Sequence, residues 1–125
     1  MLDYDSPLKA GHCEKYDDTP RTELIDLITE PPRRVLEIGC GVGAMGLAIK
    51  QKFQDVEYVG VECDEGAAKI AQTRLDRVIF TDIEKVQLDT IGLNKEYFDL
   101  IICADVLEHL YDPWKILSDM RYNIV

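Results

Sequence analysis

The stretch Val35-Leu36-Glu37-Ile38-Gly39-Cys40-Gly41-Val42-Gly43-Ala44-Met45-Gly46 decides how the rest of the chain is read. Val35 to Ile38 is a short apolar run interrupted only by Glu37 and closed by a glycine, which predicts a buried strand. Ala44 to Phe53 then has the content and spacing of a helix. Gly41, Gly43 and Gly46 fit G-x-G-x-x-G, and they do so between a strand and a helix, the context that gives the pattern meaning. Glycines allow a sharp turn and bring backbone N–H groups close to a ligand at a helix N-terminus. A site of this kind also places an acidic residue about 20 positions further on, at the end of the next strand, for ribose hydroxyls. Glu62 stands there, closing Tyr58-Val59-Gly60-Val61. To this point the pattern fits a dinucleotide and other adenosine ligands equally.

Working outward, the alternation continues. Val56 to Val61 is a second strand and Glu65 to Leu75 a helix. Arg77 to Phe80 is a third strand, with a weak helix or irregular segment over Ile83 to Ile91. Phe98 to Cys103 is a fourth strand, and Pro113 to Tyr122 a last helix. Upstream, Thr19 and Pro20 have the residue types of an N-cap and first helical position. Leu24, Ile25, Leu27 and Ile28 follow as an apolar face, and Pro31-Pro32 ends the helix. Residues 1–19 are polar and turn-rich and read as an arm; 20–125 read as one domain. Continuously apolar strands separated by helices imply an α/β fold with a parallel sheet covered on both faces.

Composition limits the function. The chain has 125 residues, 46% hydrophobic and 30% charged, with a net charge of −10. So acidic a chain is a poor binder of nucleic acid or of an anionic membrane surface, both of which need clustered Lys and Arg. The apolar fraction is too high for disorder. No apolar run reaches the length of a membrane span, and Met1 to Asp5 carry no leader-like pattern. A cytoplasmic protein is the expectation. Cys13, Cys40, Cys63 and Cys103 make no CxxC, and His12 and His109 have no ligand at short spacing, so no metal site and no disulfide framework is expected.

Two details narrow the ligand. Glu37 inside the first strand gives Glu-x-Gly-x-Gly-x-Gly from Glu37 to Gly43, and the later strand ends carry a particular series of polar groups. With these, the sequence resembles class I S-adenosylmethionine-dependent methyltransferases, above all the small-molecule "methyltransferase domain" type, whose fourth strand runs into Val106-Leu107-Glu108-His109-Leu110. The likeness covers about residues 16–120 and four motifs in order. It implies a Rossmann-like, mainly parallel sheet in the order 3-2-1-4. It further implies that Gly39, Gly41 and Gly43 lie under the methionine and ribose, with Cys40 in the same loop, and that Glu37 sits near the methionyl amino group. Glu62 would take both ribose hydroxyls, Cys63 would lie beside the adenine, and Asp82 would accept from the adenine amine with Ile83 on the ring. The segment from Cys103 and Ala104 to Leu110 would line the methyl-transfer end, where Asp105 and His109 are the candidates for catalysis. Against these stand plainer readings: a turn or cap for Asp82, a satisfied histidine for His109, loop shaping for Asp105, and packing for the cysteines and Trp114.

The likeness breaks off after the fourth strand. A seven-stranded sheet is usual in the family, whereas this sequence stops one helix later, so the cofactor half is represented and most of the substrate half is not. Ala104-Asp105-Val106-Leu107 stands where nucleic-acid amino methyltransferases carry Asp/Asn-Pro-Pro-Tyr/Phe. The resulting expectation is methyl transfer to a small-molecule or saccharide-type acceptor, with S-adenosylhomocysteine as product. An NAD-linked oxidoreductase and a non-catalytic cofactor-binding or partner module are the alternatives. The open edge of the fourth strand predicts self-association.

Overall fold

The structure, a computed structural model, describes residues 18–87, 90, 91, 93, 96–104 and 106–123. The expected arm therefore lies outside the described residues up to position 17, as does Asp105. The chain runs α1 (Thr22–Ile25), β1 (Arg34–Ile38), α2 (Ala44–Lys52), β2 (Glu57–Glu62), α3 (Glu65–Gln72), β3 (Arg77–Phe80), β4 (Leu100–Ile102), a 3-10 turn (Leu107–His109) and α4 (Pro113–Asn123). The strands form one sheet in the order β3-β2-β1-β4, all pairs parallel. Val35 lies opposite Tyr58 on one side and Leu100 on the other, and Glu37 opposite Gly60 and Ile102.

This central strand must be apolar on both faces, and it is. Leu36 and Ile38 join Val59, Val61, Ile83, Val106, Ile116 and Met120 in a core under α4. Val35 joins Tyr58, Met45, Ile49, Ala71, Leu75 and Ile25 in a second core under α1, α2 and α3. Glu37 is the exception, a carboxyl buried on the second face with 3% of its surface exposed.

Several elements differ from expectation, each for a local reason. The first helix is a single turn, capped by Arg21 without a side-chain bond rather than by Thr19 and Pro20. Beyond Ile25, Leu27 and Ile28 bond to carbonyls three residues back. Of the face it was to bury, only Ile25 is fully covered; Leu24 and Ile28 are partly buried and Leu27 is 73% exposed, so limited packing holds further turns together. α3 stops at Gln72, where the Thr73 hydroxyl bonds the Ile70 carbonyl. The described residues of Ile83 to Ile91 form no α-helix: Asp82 accepts the Glu84 N–H with its side chain and the Lys85 N–H with its carbonyl, an Asx turn that competes with a helix. The fourth strand is shorter than Phe98 to Cys103. Asp99 turns its carboxylate onto the N–H groups of Arg33 and Arg34, at 2.9 Å each, and pairing begins only at Leu100. Trp114 does not pack; it is 79% exposed on the first turn of α4.

Candidate functional site

The site is built where β1 and β2 end. Gly39, Gly41 and Gly43 have φ of +74°, +57° and +87°, a left-handed zigzag that side chains other than glycine rarely adopt. Gly43 is itself the N-cap of α2 and has no side chain to satisfy the first N–H groups of that helix. The Gly39 and Cys40 N–H groups bond the Val61 carbonyl, and Gly43 N–H bonds the Cys40 carbonyl. Glu62 completes the frame. Its Oε1 accepts from Gly41 N–H and its Oε2 from Asp64 N–H, both at 2.9 Å, so a buried carboxylate ties the glycine loop to the start of α3. A carboxylate has about four lone-pair sites and accepts from hydroxyls as well as from N–H groups. Asp64 in turn caps α3 by accepting from Ala67 N–H.

Two adjoining spaces open along this edge. The first, about 230 Å³, is lined by Thr19, Arg21, Glu37, Gly39, Cys40, Gly41, Val42, Ala44, Met45 and Ala104. The second is a narrow cleft between Gly39, Glu62, Cys63, Thr81 and Ile83. Thus Glu37, Gly39, Cys40, Gly41 and Ala104 are brought together, and Gly39, Glu62, Cys63 and Ile83 beside them, with Gly43 at the helix entrance. Asp82 follows on the neighbouring loop, 6% exposed; its Oδ2 accepts no hydrogen bond among the described residues but lies 4.0 Å from Lys85 Nζ, and the side chain lines a separate space with Glu84, Lys85, Tyr111 and Ile116. His109 is not part of this cluster: it lies on the exposed 3-10 turn, 3.6 Å from Glu108. A larger groove of about 550 Å³ runs between α1, α2 and β4, apolar except for Glu30, Thr29 and Asp99, and reaches Met45 without being lined by the loop glycines. Ligand chemistry in a sheet of this kind belongs at the carboxyl ends of the strands, which favours the smaller space.

Electrostatics separate the groups. Burial pushes the Glu37 carboxyl up to about 8, aided by the Glu62 charge and opposed by a 2.7 Å bond donated by the Tyr58 hydroxyl. Burial, with the charges of Glu37 and Glu62, drives the Cys40 thiol far above its usual range, and burial with Glu37 takes Cys103 to about 11. Thiols so protonated are not nucleophiles. Among the described residues Cys40, Cys63 and Cys103 form no disulfide, and no three His, Cys, Asp or Glu gather as a metal site. Tyr58 and Arg21 were not singled out from sequence, and Thr19 was read only as a helix cap. The signal for Tyr58 was available, since a buried tyrosine hydroxyl on a central strand needs a partner; Arg21 carried none.

With this geometry in view, the comparisons with known proteins agree. A family described as "Methyltransferase domain" matches residues 36–124. The chain belongs to that methyltransferase family. Among curated relatives, a ubiquinone biosynthesis O-methyltransferase of Hahella chejuensis is 27% identical over 100 residues, covering 75% of this chain and 41% of the relative. Another, of Bordetella avium, is 31% identical over 83 residues, covering 65% and 34%. Among solved structures, the N-terminal domain of EvdMO1 with S-adenosylhomocysteine bound superposes with a TM-score of 0.69 at 25% identity, over 86% of this chain and 46% of that one. The plantazolicin methyltransferase BpumL, with a TM-score of 0.65 at 21% identity, shares the fold. The chain thus spans less than half the length of each of these relatives.

Proposed function

We propose that this chain forms the S-adenosylmethionine-binding part of a methyltransferase acting on a small-molecule acceptor, an oxygen acceptor above all, in the cytoplasm. The observation that carries the reading is Glu37: an acidic side chain at the bottom of a space rimmed by the glycine loop, placed to take an ammonium group. At about 230 Å³ that space suits the amino-acid end of the ligand, while Glu62, Ile83 and, on the next loop, Asp82 continue along the strand ends for a ribose and an adenine amine. When bound, the sulfonium supplies an already activated methyl group. The residues of this chain then have to bind, orient and keep water from the donor rather than provide a nucleophile. O-Methyl transfer is supported by the names of the curated relatives, a small acceptor by the acidic net charge, and the cytoplasm by cysteines that form no disulfide among the described residues. Calorimetry with S-adenosylhomocysteine and with NAD tests the cofactor: binding of the former and not the latter is expected, and the reverse order overturns the reading. Methylation assays with phenolic and sugar hydroxyl acceptors test the reaction.

A further inference from the structure

Glu37 and Tyr58 form a pair that cofactor binding as such does not demand. Tyr58 lies opposite Val35, one pleat repeat behind Glu37 on the same face of the sheet, so its ring reaches along β2 toward the strand ends and its hydroxyl arrives at Glu37 Oε1 at 2.7 Å. The ring has no freedom to move: Tyr58 is fully buried, and Gly46 on α2 passes so near that an added Cβ would stand 2.8 Å from it. One carboxyl oxygen of Glu37 is therefore held by a rigid donor, while the residue lines the space beside the glycine loop.

We infer that Tyr58 is a positioning residue that fixes how Glu37 presents its carboxyl to the ammonium of an amino-acid-bearing ligand, and that this ligand displaces a proton from Glu37 on binding. The inference rests on the reading of the site given above and goes beyond it. The groups facing Glu37 from the surrounding elements are Tyr58 and Glu62 on β2, Cys40 in the glycine loop, Cys103 after β4, and Arg21 ahead of α1 at the rim of the same space; α2 presents Ala44 and Met45, neither of which titrates. Burial and the Glu62 charge keep the carboxyl protonated at neutral pH, and the Tyr58 bond opposes them. An ammonium entering the space favours the carboxylate, the Glu37 proton leaves to the buffer, and the charge on the ligand replaces it. Without the tyrosine hydroxyl the carboxylate loses a donor and is harder to form.

The experiment is calorimetry on the 125-residue chain between pH 6 and pH 8, in buffers of different ionisation enthalpy. Two ligands are compared: S-adenosylhomocysteine, and 5′-methylthioadenosine, which keeps the nucleoside and thioether but has no amino acid. The wild type is expected to bind the first more tightly as pH rises and to release a proton on binding. Tyr58→Phe should weaken S-adenosylhomocysteine about tenfold at pH 7 and move its pH profile up by about one unit, the size of one hydrogen bond to a charged group, while leaving 5′-methylthioadenosine unchanged. Glu37→Gln should remove the proton release with the same indifference of the shorter ligand, which serves if the phenylalanine variant does not fold. Equal losses of both ligands in Tyr58→Phe, or a proton count in Glu37→Gln equal to that of the wild type, overturn the inference and leave the cofactor reading standing. No binding of either ligand to the wild type overturns both.

Discussion

Gly60, at the middle of β2, lies directly against Cys40 of the glycine loop. A Cβ built there would stand 2.5 Å from Cys40 Sγ, 2.8 Å from Cys40 Cβ and 2.9 Å from Leu75 Cδ1. A real Cβ does not come within 3.0 Å of such neighbours, so Gly60→Ala forces movement. Leu75 can yield at its flexible tip; Cys40 cannot readily do so, because its N–H and that of Gly39 are both pinned to the Val61 carbonyl. Overpacking of this kind costs about 1–3 kcal/mol. The gain in strand propensity from losing a glycine offsets less than about 1 kcal/mol of it. The expected net loss is about 1–2 kcal/mol, seen as a lower urea midpoint with an unchanged slope. Cys40→Ala should partly relieve the strain, because it removes the sulfur at 2.5 Å while keeping the Cβ at 2.8 Å. The double variant should then be more stable than the sum of the single changes predicts, a coupling of about 0.5–1.5 kcal/mol between neighbours. Strict additivity, or a Gly60→Ala chain as stable as the wild type, would refute the claim that Gly60 exists to admit Cys40.

Three further outcomes are expected. Glu62→Ala leaves the Gly41 and Asp64 N–H groups without their carboxylate and should weaken S-adenosylhomocysteine binding by about 1–3 kcal/mol; Glu65→Ala, on the exposed first turn of α3, should leave it nearly unchanged, and equal effects in titrations would misplace the ribose carboxylate. The Glu37 carboxyl is raised by burial from 4.5 to about 8, so the folded chain holds that proton more tightly than the unfolded one; its contribution is complete below about pH 4.5 and is lost as pH rises through about 8. Urea melts from pH 5.5 to 8 should therefore show a falling component, at most about 1.4 kcal/mol per pH unit, that is absent in Glu37→Gln. Among the described residues β4 is paired only with β1, beside the apolar groove under α1, and self-association through that edge should appear as a concentration-dependent mass in light scattering with slow exchange at Leu100 to Ile102; a strictly monomeric species with fast exchange there rejects it.

What could be read from the sequence was what neighbouring residues decide together. Strand β1, the glycine turn and α2 occupy one continuous stretch, so the hydrophobic run and the turn residues agreed within a dozen positions. The sheet order followed from the family likeness, and Glu62 from its distance along the chain. What escaped was set by contacts between distant residues. Asp99 shortens β4 because it meets N–H groups of Arg33 and Arg34, 66 and 65 residues away. Tyr58 read as one more aromatic in a strand until Glu37 stood next to it. Thr19 and Pro20 had the residue types of a helix start, but the segment after them fully buries only Ile25, and propensity alone does not sustain a short helix. The turn at Asp82 turned on a side chain bonding the backbone two residues ahead.

The order β3-β2-β1-β4 also fixes a sequence of events in time. β1, β2 and β3 pair with strands that are close along the chain, so their ladders close small loops. The pairing of Val35 with Leu100 encloses a far longer one, and nothing on β4 can find β1 until that loop closes. Contacts of high sequence separation form late and slow the whole reaction. β4, the Asp99 latch on the start of β1, and the wall that Ala104 gives to the ligand space therefore arrive last. Loop-closure entropy thus favours assembly of the glycine loop before the space beside it is closed.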